Sequence, residues 1–341
     1  LTWCIIVRRY ENIDNAPFAI EIEPAAMSAP SYAIIGTGAI GGFYGSRLQK
    51  AGLDVHFLLR SDYDTVRDRG LSVESPEGDF TLDPVNAYND VAKMPRCDVV
   101  VVSLKTTQNH LLPKLLPPVV KPDGVVLVLQ NGLGIEDEVA KIVGSDRVMG
   151  GMCFICANKV APGRIRHLDY SAISLADYDP EARRCGVTDR MKRIATDFER
   201  AGIPIQLMDD LLMARWHKLV WNIPYNGLSV VLDAQTDELM GDPSTRQLVE
   251  QLMRETVAGA AGCDRAIPDS TIQKMLDRTD KMKPYLTSMK LDYNAKRPLE
   301  LEAIFGNPIR MANAAGVSLP RVEMLYRQLQ FLDRKNRQNH S

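Results

Sequence analysis

The sequence predicts an α/β amino-terminal domain followed by an all-α carboxyl-terminal domain. Three observations predict it. Glycines at G-x-G-x-x-G spacing (Gly36, Gly38, Gly41) sit between a short apolar run and a helical pattern. Near-continuous valine and leucine runs recur at 98–104 and 125–129, as expected of parallel strands buried on both faces. After Asp209 strand-like runs cease, and apolar residues recur at spacings of three and four, the helical period.

The first strand reads from Tyr32 to Ile35 and its helix from Ile40 to Ala51. Gly36 permits the turn between them, Gly38 lets the backbone approach a pyrophosphate, and Gly41 lets the helix pack on the strand. The helix N-terminus adds free amides and positive partial charge. Gly36, Thr37, Gly38, Ala39, Ile40 and Gly41 are therefore the candidate cradle of a dinucleotide, and the domain is Rossmann-type. The second strand, Val55 to Leu59, ends at Arg60. An acidic residue there suits the ribose 2′-hydroxyl of NAD, whereas a cation suits the 2′-phosphate of NADP. Arg60 favours NADP over NAD, although Asp62 lies close by and a solvated surface arginine is the plainer alternative.

A hairpin is expected at 71–82, turning at Pro76-Glu77-Gly78. The valine run at 98–104 places Lys105 at the carboxyl end of a strand, where ligands bind in open α/β sheets. Lys105 is either a cofactor contact or a lysine reaching solvent. The run at 125–129 ends in Gln130-Asn131-Gly132, which is either a turn or an amide set beside a nicotinamide. Strands follow at 147–157 and 164–175, then a helix at 187–201 and a strand at 203–207.

Asp209-Asp210 can cap a helix. Within that helix Lys218, Asn222 and Asn226 recur every four residues, so they share a face. A polar face turned to solvent is the plainer alternative, but Trp216, Leu219, Trp221 and Ile223 surround this face, and amides buried there would have to find partners. Pro224 is expected to kink the helix near Val220. Further helices are expected at 242–261, 272–280, 283–293, 300–315 and 322–337. Ser288 and Asp292 are again four apart, and Glu300 and Glu302 mark a helix start favourable to acids. The implied layout is a leader at 1–30, a cofactor domain at 31–208, a helical substrate domain at 209–335 and a tail at 336–341.

Composition narrows the partners. The 341 residues are 45% hydrophobic and 25% charged with a net charge of −2, so no basic field for nucleic acid is expected. No apolar run reaches the ~18 residues of a membrane span. The leader has Arg8-Arg9 after its apolar stretch, the reverse of a secretory signal, and is expected to lie outside the fold. Only Cys153 and Cys156 of the six cysteines are close. They lack a second pair or nearby histidines, so no metal site is expected, and the pattern suits a reducing, cytoplasmic compartment. A homodimer is the assembly considered, without a sequence feature to fix it.

Gly36-x-Gly38-Ala39-x-Gly41, Leu104-Lys105, Gln130-Asn131-Gly132, Lys218-x-x-x-Asn222-x-x-x-Asn226, Ser288-Met289-x-x-Asp292 and Pro298-x-Glu300 together resemble the ketopantoate reductase family, in order and approximate spacing, over residues 31–329. The resemblance implies a Rossmann domain joined to a helical domain of the 6-phosphogluconate dehydrogenase C-terminal-like kind. It implies NADPH-dependent reduction of 2-dehydropantoate to (R)-pantoate in pantothenate and coenzyme A synthesis. Lys218 would be the catalytic proton donor, Asn131 would meet nicotinamide and substrate, and Glu300 would be the active-site glutamate, also near the cofactor. Lys218, Asn222, Asn226 and Ser288 would bind substrate. Arg60 and Lys105 would surround the adenosine end of the cofactor. An ordinary lysine pKa of ~10.4 would keep Lys218 charged. Tyr285 stands where bacterial members can carry an asparagine, and Thr236 falls where another polar substrate contact is expected. A reductase of another small 2-oxo acid, and a non-catalytic NADP-binding sensor, are the alternatives.

Overall fold

The structure, a computed structural model, describes residues 29–338. The leader, including Cys4, and His340 at the end of the chain lie outside the described residues apart from Ala29 and Pro30.

The first half alternates strand and helix: β1 (Ser31–Ile35), α1 (Ala39–Lys50), β2 (Asp54–Leu58), α2 (Tyr63–Arg69), β3 (Leu71–Glu74), β4 (Phe80–Leu82), β5 (Asn86–Tyr88), β6 (Cys97–Val102), α3 (Leu112–Leu115), β7 (Val120–Val128), α4 (Ile135–Val143), β8 (Val148–Ala161), β9 (Arg164–Asp177), α5 (Asp189–Arg200) and β10 (Ile205–Leu207). They form one sheet in the order β4-β3-β9-β8-β7-β6-β1-β2-β5, with β10 on β9. Strands β7, β6, β1, β2 and β5 are mutually parallel. The chain leaves β1 for β2 on one side, while β6 lies on the other, so the strand order reverses beside β1. Such a switch point opens a crevice at the carboxyl ends of the strands. The hairpin at 71–82 forms as β3 and β4, and β3 joins β9 in parallel. Helices α2, α3 and α4 have no counterpart in the sequence reading.

The second half is helical: α6 (Leu211–Val231), α7 (Thr236–Gly241), α8 (Pro243–Gly262), α9 (Ser270–Asp280), α10 (Ser288–Asn294), α11 (Asn307–Ala314) and α12 (Pro320–Gln338). The Asp210 carboxylate accepts from the Met213 amide and caps α6. The helix then runs unbroken through the buried Pro224. Helix α10 begins at Ser288, five residues later than the sequence pattern suggested. Pro284 cannot donate a backbone bond, and the Thr287 hydroxyl caps the later start at the Lys290 amide. The expected helix at 300–315 divides into a π turn (Glu302–Gly306) and α11. Pro308 explains the division, because its ring excludes the carbonyl four residues earlier and lacks an N–H. Helix α12 extends to Gln338, into the stretch read as a tail.

Leu133, from the loop after β7, packs in the core of the helical half, and Ala303 of the π turn packs under the sheet. The Leu133 amide donates to the Ala303 carbonyl at 2.8 Å. This interlock ties the halves together, and a cleft of about 1850 Å³ lies between them. Among the described residues no helix is long and apolar enough to cross a membrane.

Candidate active site

The sheet-side wall starts at the glycine loop. Gly36 has φ +106°, and a Cβ there would lie 2.5 Å from the Leu104 amide nitrogen. The loop can cross the end of β6 only because this position has no side chain. Gly41 is packed beneath, where Ser103 and the Gly36 carbonyl occupy the space of a Cβ. Gly38 is the opposite case, since a Cβ there would meet nothing within 4 Å. It borders the cleft with Thr37, Ala39 and Ile40, and the Thr37 hydroxyl ties the loop to the Leu58 carbonyl at 2.9 Å. Helix α1 has no side-chain cap and no acid in its first turn. Its amides and positive end are left for an external anion, so the residues fit a dinucleotide pyrophosphate. Gly38→Ala should therefore leave the thermal midpoint nearly unchanged but weaken cofactor binding about tenfold, roughly the worth of one ordinary hydrogen bond. Calorimetry and fluorescence titration would separate the two effects.

At the end of β2, Arg60 is exposed beside the cleft and carries no ion pair among the described residues. Asp62, the acid that complicated the cofactor reading, is buried and committed elsewhere. It pairs with Lys159 at 2.5 Å and accepts from the Gly163 amide at 2.9 Å. Burial would raise its carboxyl, yet Lys159 and that amide hold it below the ordinary range.

Lys105 follows β6 and reaches across to the helical half. Its Nζ lies 2.8 Å from Asp292 and 3.2 Å from Glu300, and the Thr106 amide donates to Glu300 Oε1 at 2.8 Å. Burial alone would lower the Lys105 ammonium, but the two carboxylates raise it well above the lysine range. Glu300 is thus buried behind Lys105 rather than on the cleft wall. Asp292, not selected from the sequence as a site residue, also pairs with Arg297 at 2.8 Å.

Asn131 borders the cleft in the loop after β7. The next residue, Gly132, has φ +112°, and a Cβ there would lie 2.5 Å from the Ala303 carbonyl oxygen. Only glycine allows the Asn131 loop to press against the π turn.

The facing wall is α6. Lys218, Asn222 and Asn226 all border the cleft, joined by Ser288 at the start of α10. Both amides are buried, and Asn226 Oδ1 accepts from the Met289 amide at 3.4 Å. The Lys218 ammonium donates to the Cys153 carbonyl and stands 5.3 Å from the centre of the Phe154 ring. Its pKa is not the aqueous value expected from sequence. Burial pushes it down to about 8, and the Arg215 guanidinium adds to this, while Cys153 and Glu300 pull the other way. Arg215 itself is buried with Glu136. Neither was selected from the sequence, because their partners lie some eighty residues apart in the chain.

Thr236 is not on the cleft wall. It is buried, its hydroxyl accepts from the Tyr285 amide and its own amide donates to the Tyr285 carbonyl, both at 3.2 Å. Tyr285 does border the cleft, with its phenol raised by burial and by Cys156. Cys153 pairs in regular register with β9 and Cys156 sits where β8 shifts against it, and burial raises both thiols.

A glycine-rich loop that borders the cleft opposite a lysine among buried amides fits the class of nicotinamide-dinucleotide oxidoreductases. The family profile for Ketopantoate reductase PanE/ApbA matches residues 32–180, and the profile for its C-terminal domain matches 210–333. A Nostoc sp. protein named 2-dehydropantoate 2-reductase is 65% identical over 311 residues, 91% of this chain and 98% of that protein. The crystal structure of 2-dehydropantoate 2-reductase from Geobacter metallireducens superposes with a TM-score of 0.84 at 41% identity, covering 88% of this chain and 99% of that one. Its counterpart from Methylococcus capsulatus gives 0.81 at 34% identity, covering 90% and 97%. The chain belongs to the ketopantoate reductase family.

Proposed function

We propose that the protein reduces 2-dehydropantoate to (R)-pantoate with NADPH, in pantothenate and coenzyme A synthesis. The observation that carries this reading is the Lys218–Asn222–Asn226 face set across the cleft from the glycine cradle. Residues 31–208 hold the cofactor, and 209–335 supply the substrate and proton chemistry. The reduced nicotinamide, when bound, supplies hydride to C2 of the 2-oxo acid. Lys218 holds a proton at the C2 oxygen, where negative charge develops, and delivers it. Asn131, Asn222, Asn226 and Ser288 orient the substrate with neutral donors and acceptors, adding no charge that would compete with its carboxylate. Glu300 keeps Lys105 engaged and lends Lys218 a nearby negative charge.

A steady-state assay with ketopantoate and a panel of other 2-oxo acids tests the substrate. Selective turnover of ketopantoate supports the reading, and equal turnover of the panel moves the assignment to a broader 2-oxo acid reductase. The cofactor has its own test. With Asp62 occupied by Lys159, Arg60 is the charge that meets a 2′-phosphate at the end of β2. Arg60→Ala should weaken NADPH about ten- to a hundredfold, the worth of a charged hydrogen bond, and leave NADH nearly unchanged. Equal losses for both cofactors would remove Arg60 from the discrimination.

A further inference from the structure

We propose that Arg215 is a positioning residue that fixes Lys218 relative to Asn131 across the cleft, an inference resting on the proton-donor reading of Lys218. Arg215 lies on α6 three residues before Lys218 and is 2% exposed. One of its terminal nitrogens donates to the Gln130 carbonyl at 2.6 Å. The other reaches the Val128 carbonyl at 3.3 Å and Glu136. Nε donates to Glu136 Oε1 at 3.0 Å. A single planar group therefore grips the last residue of β7, the residue before Asn131 and the first turn of α4.

The loop it grips has other ties, among them Leu133, which packs in the helical core and whose carbonyl accepts from the Asn307 side-chain amide at 2.6 Å. The Gln130 side chain donates to the Leu104 carbonyl at 2.8 Å and to Asn109 at 2.7 Å, and the Gly132–Leu133 backbone rests on Ala303. Those contacts fix the loop to the sheet and the π turn. Arg215 adds the hydrogen-bonded link from the Asn131 loop to the helix that carries Lys218. Arginine suits this because its fork presents several donors in a fixed plane, which a lysine cannot do. Burying an ion pair is a poor route to stability, and such pairs are best attested where they set geometry.

Arg215 also adds charge beside Lys218. Around that ammonium stand Arg215 from α6, Cys153 from β8 and Glu300 from the segment entering the π turn. Arg215 disfavours its charged form, whereas Cys153 and Glu300 favour it. Removing Arg215 therefore alters both the place and the acidity of the proton donor.

Two variants of the full chain, Arg215→Lys and the double Arg215→Met/Glu136→Met, test the inference by single-turnover NADPH oxidation, pH profile and NADPH titration. Arg215→Lys keeps the charge and loses the fork. It should slow turnover about ten- to a hundredfold, the scale of an ångström-level misplacement, with NADPH affinity within twofold and the alkaline limb unmoved. The double variant should slow turnover similarly and move the limb to higher pH. If the double variant does not fold, Arg215→Lys decides. Turnover of Arg215→Lys within twofold of wild type overturns the inference, as does a loss matched by an equal loss of NADPH affinity. Full turnover in Lys218→Ala would instead overturn the proton-donor reading. An inactive Lys218→Ala beside a fully active Arg215→Lys would overturn only the role of Arg215.

Discussion

Lys218→Ala is expected to lower kcat about a hundred- to ten-thousandfold, the range for a positioned general acid, with NADPH affinity close to wild type. Lys218 faces the cradle from α6, so its loss leaves Gly36 to Gly41 and Arg60 untouched. Cofactor titration alongside turnover separates the reductase from a non-catalytic NADP-binding protein, whose binding and turnover behaviour would not part in this way. Unchanged turnover would remove Lys218 from the chemistry.

The depressed pKa of Lys218 adds a signature with a definite sign. A proton donor must be protonated, so kcat should be flat below about pH 8 and fall roughly tenfold per unit above it. Stability runs the other way. Between about 8 and the ordinary value of 10.5 the unfolded lysine binds a proton that the folded one has shed. This group therefore adds stability as pH rises through that window, and its contribution is lost as pH falls through 8. Lys218→Met removes the cost of the buried charge. It should raise the thermal midpoint at pH 7 while abolishing turnover, a combination typical of residues kept for activity at the expense of stability. A lowered midpoint would show that the ammonium is held by its contacts with Cys153 and Phe154 rather than tolerated.

The glycine loop was legible because its physics is local. Three glycines, a strand before them and a helix after them lie within about twenty residues. The lysine–asparagine face was legible for the same reason, as one helix at a spacing of four displays it. The surroundings of Lys218 were not, because the Cys153 carbonyl and Phe154 arrive on β8, more than sixty residues upstream. Thr236 looked like a substrate contact because it falls where the resemblance places another polar one. Its hydroxyl is spent on the Tyr285 backbone instead. Lys105 stood at the end of a strand where ligands bind, yet only the folded chain brings Asp292 and Glu300 to it. Some misses had local signals. Pro284 warned against a helix from 283, Pro308 against an unbroken one from 300, and the acids at Glu136 to Glu138 announced α4.

Those acids lead to the largest expected change in stability. Glu136→Ala should lower the free energy of unfolding by about 3–5 kcal/mol, the usual cost of leaving one member of a buried ion pair without the other. The Glu136 side chain is 4% exposed and that of Arg215 3%, so water cannot take over readily. Glu136 also lies in the first turn of α4 with Asp137 and Glu138, and the helix has no side-chain cap. The alanine variant therefore loses a charge favourable to the helix dipole, worth about 0.3–1 kcal/mol, as well as the partner of Arg215. Urea titration measures the loss. The double variant Arg215→Met/Glu136→Met should recover most of it, since apolar replacement of a whole buried pair is often neutral or stabilising. A protein that regains its stability in the double variant but not its turnover would separate the two roles of the pair: the fold can do without it, while the alignment of Lys218 with Asn131 cannot. A loss below about 1 kcal/mol in Glu136→Ala, the scale of an ordinary hydrogen bond, would mean that the Gln130 and Val128 carbonyls alone satisfy the guanidinium.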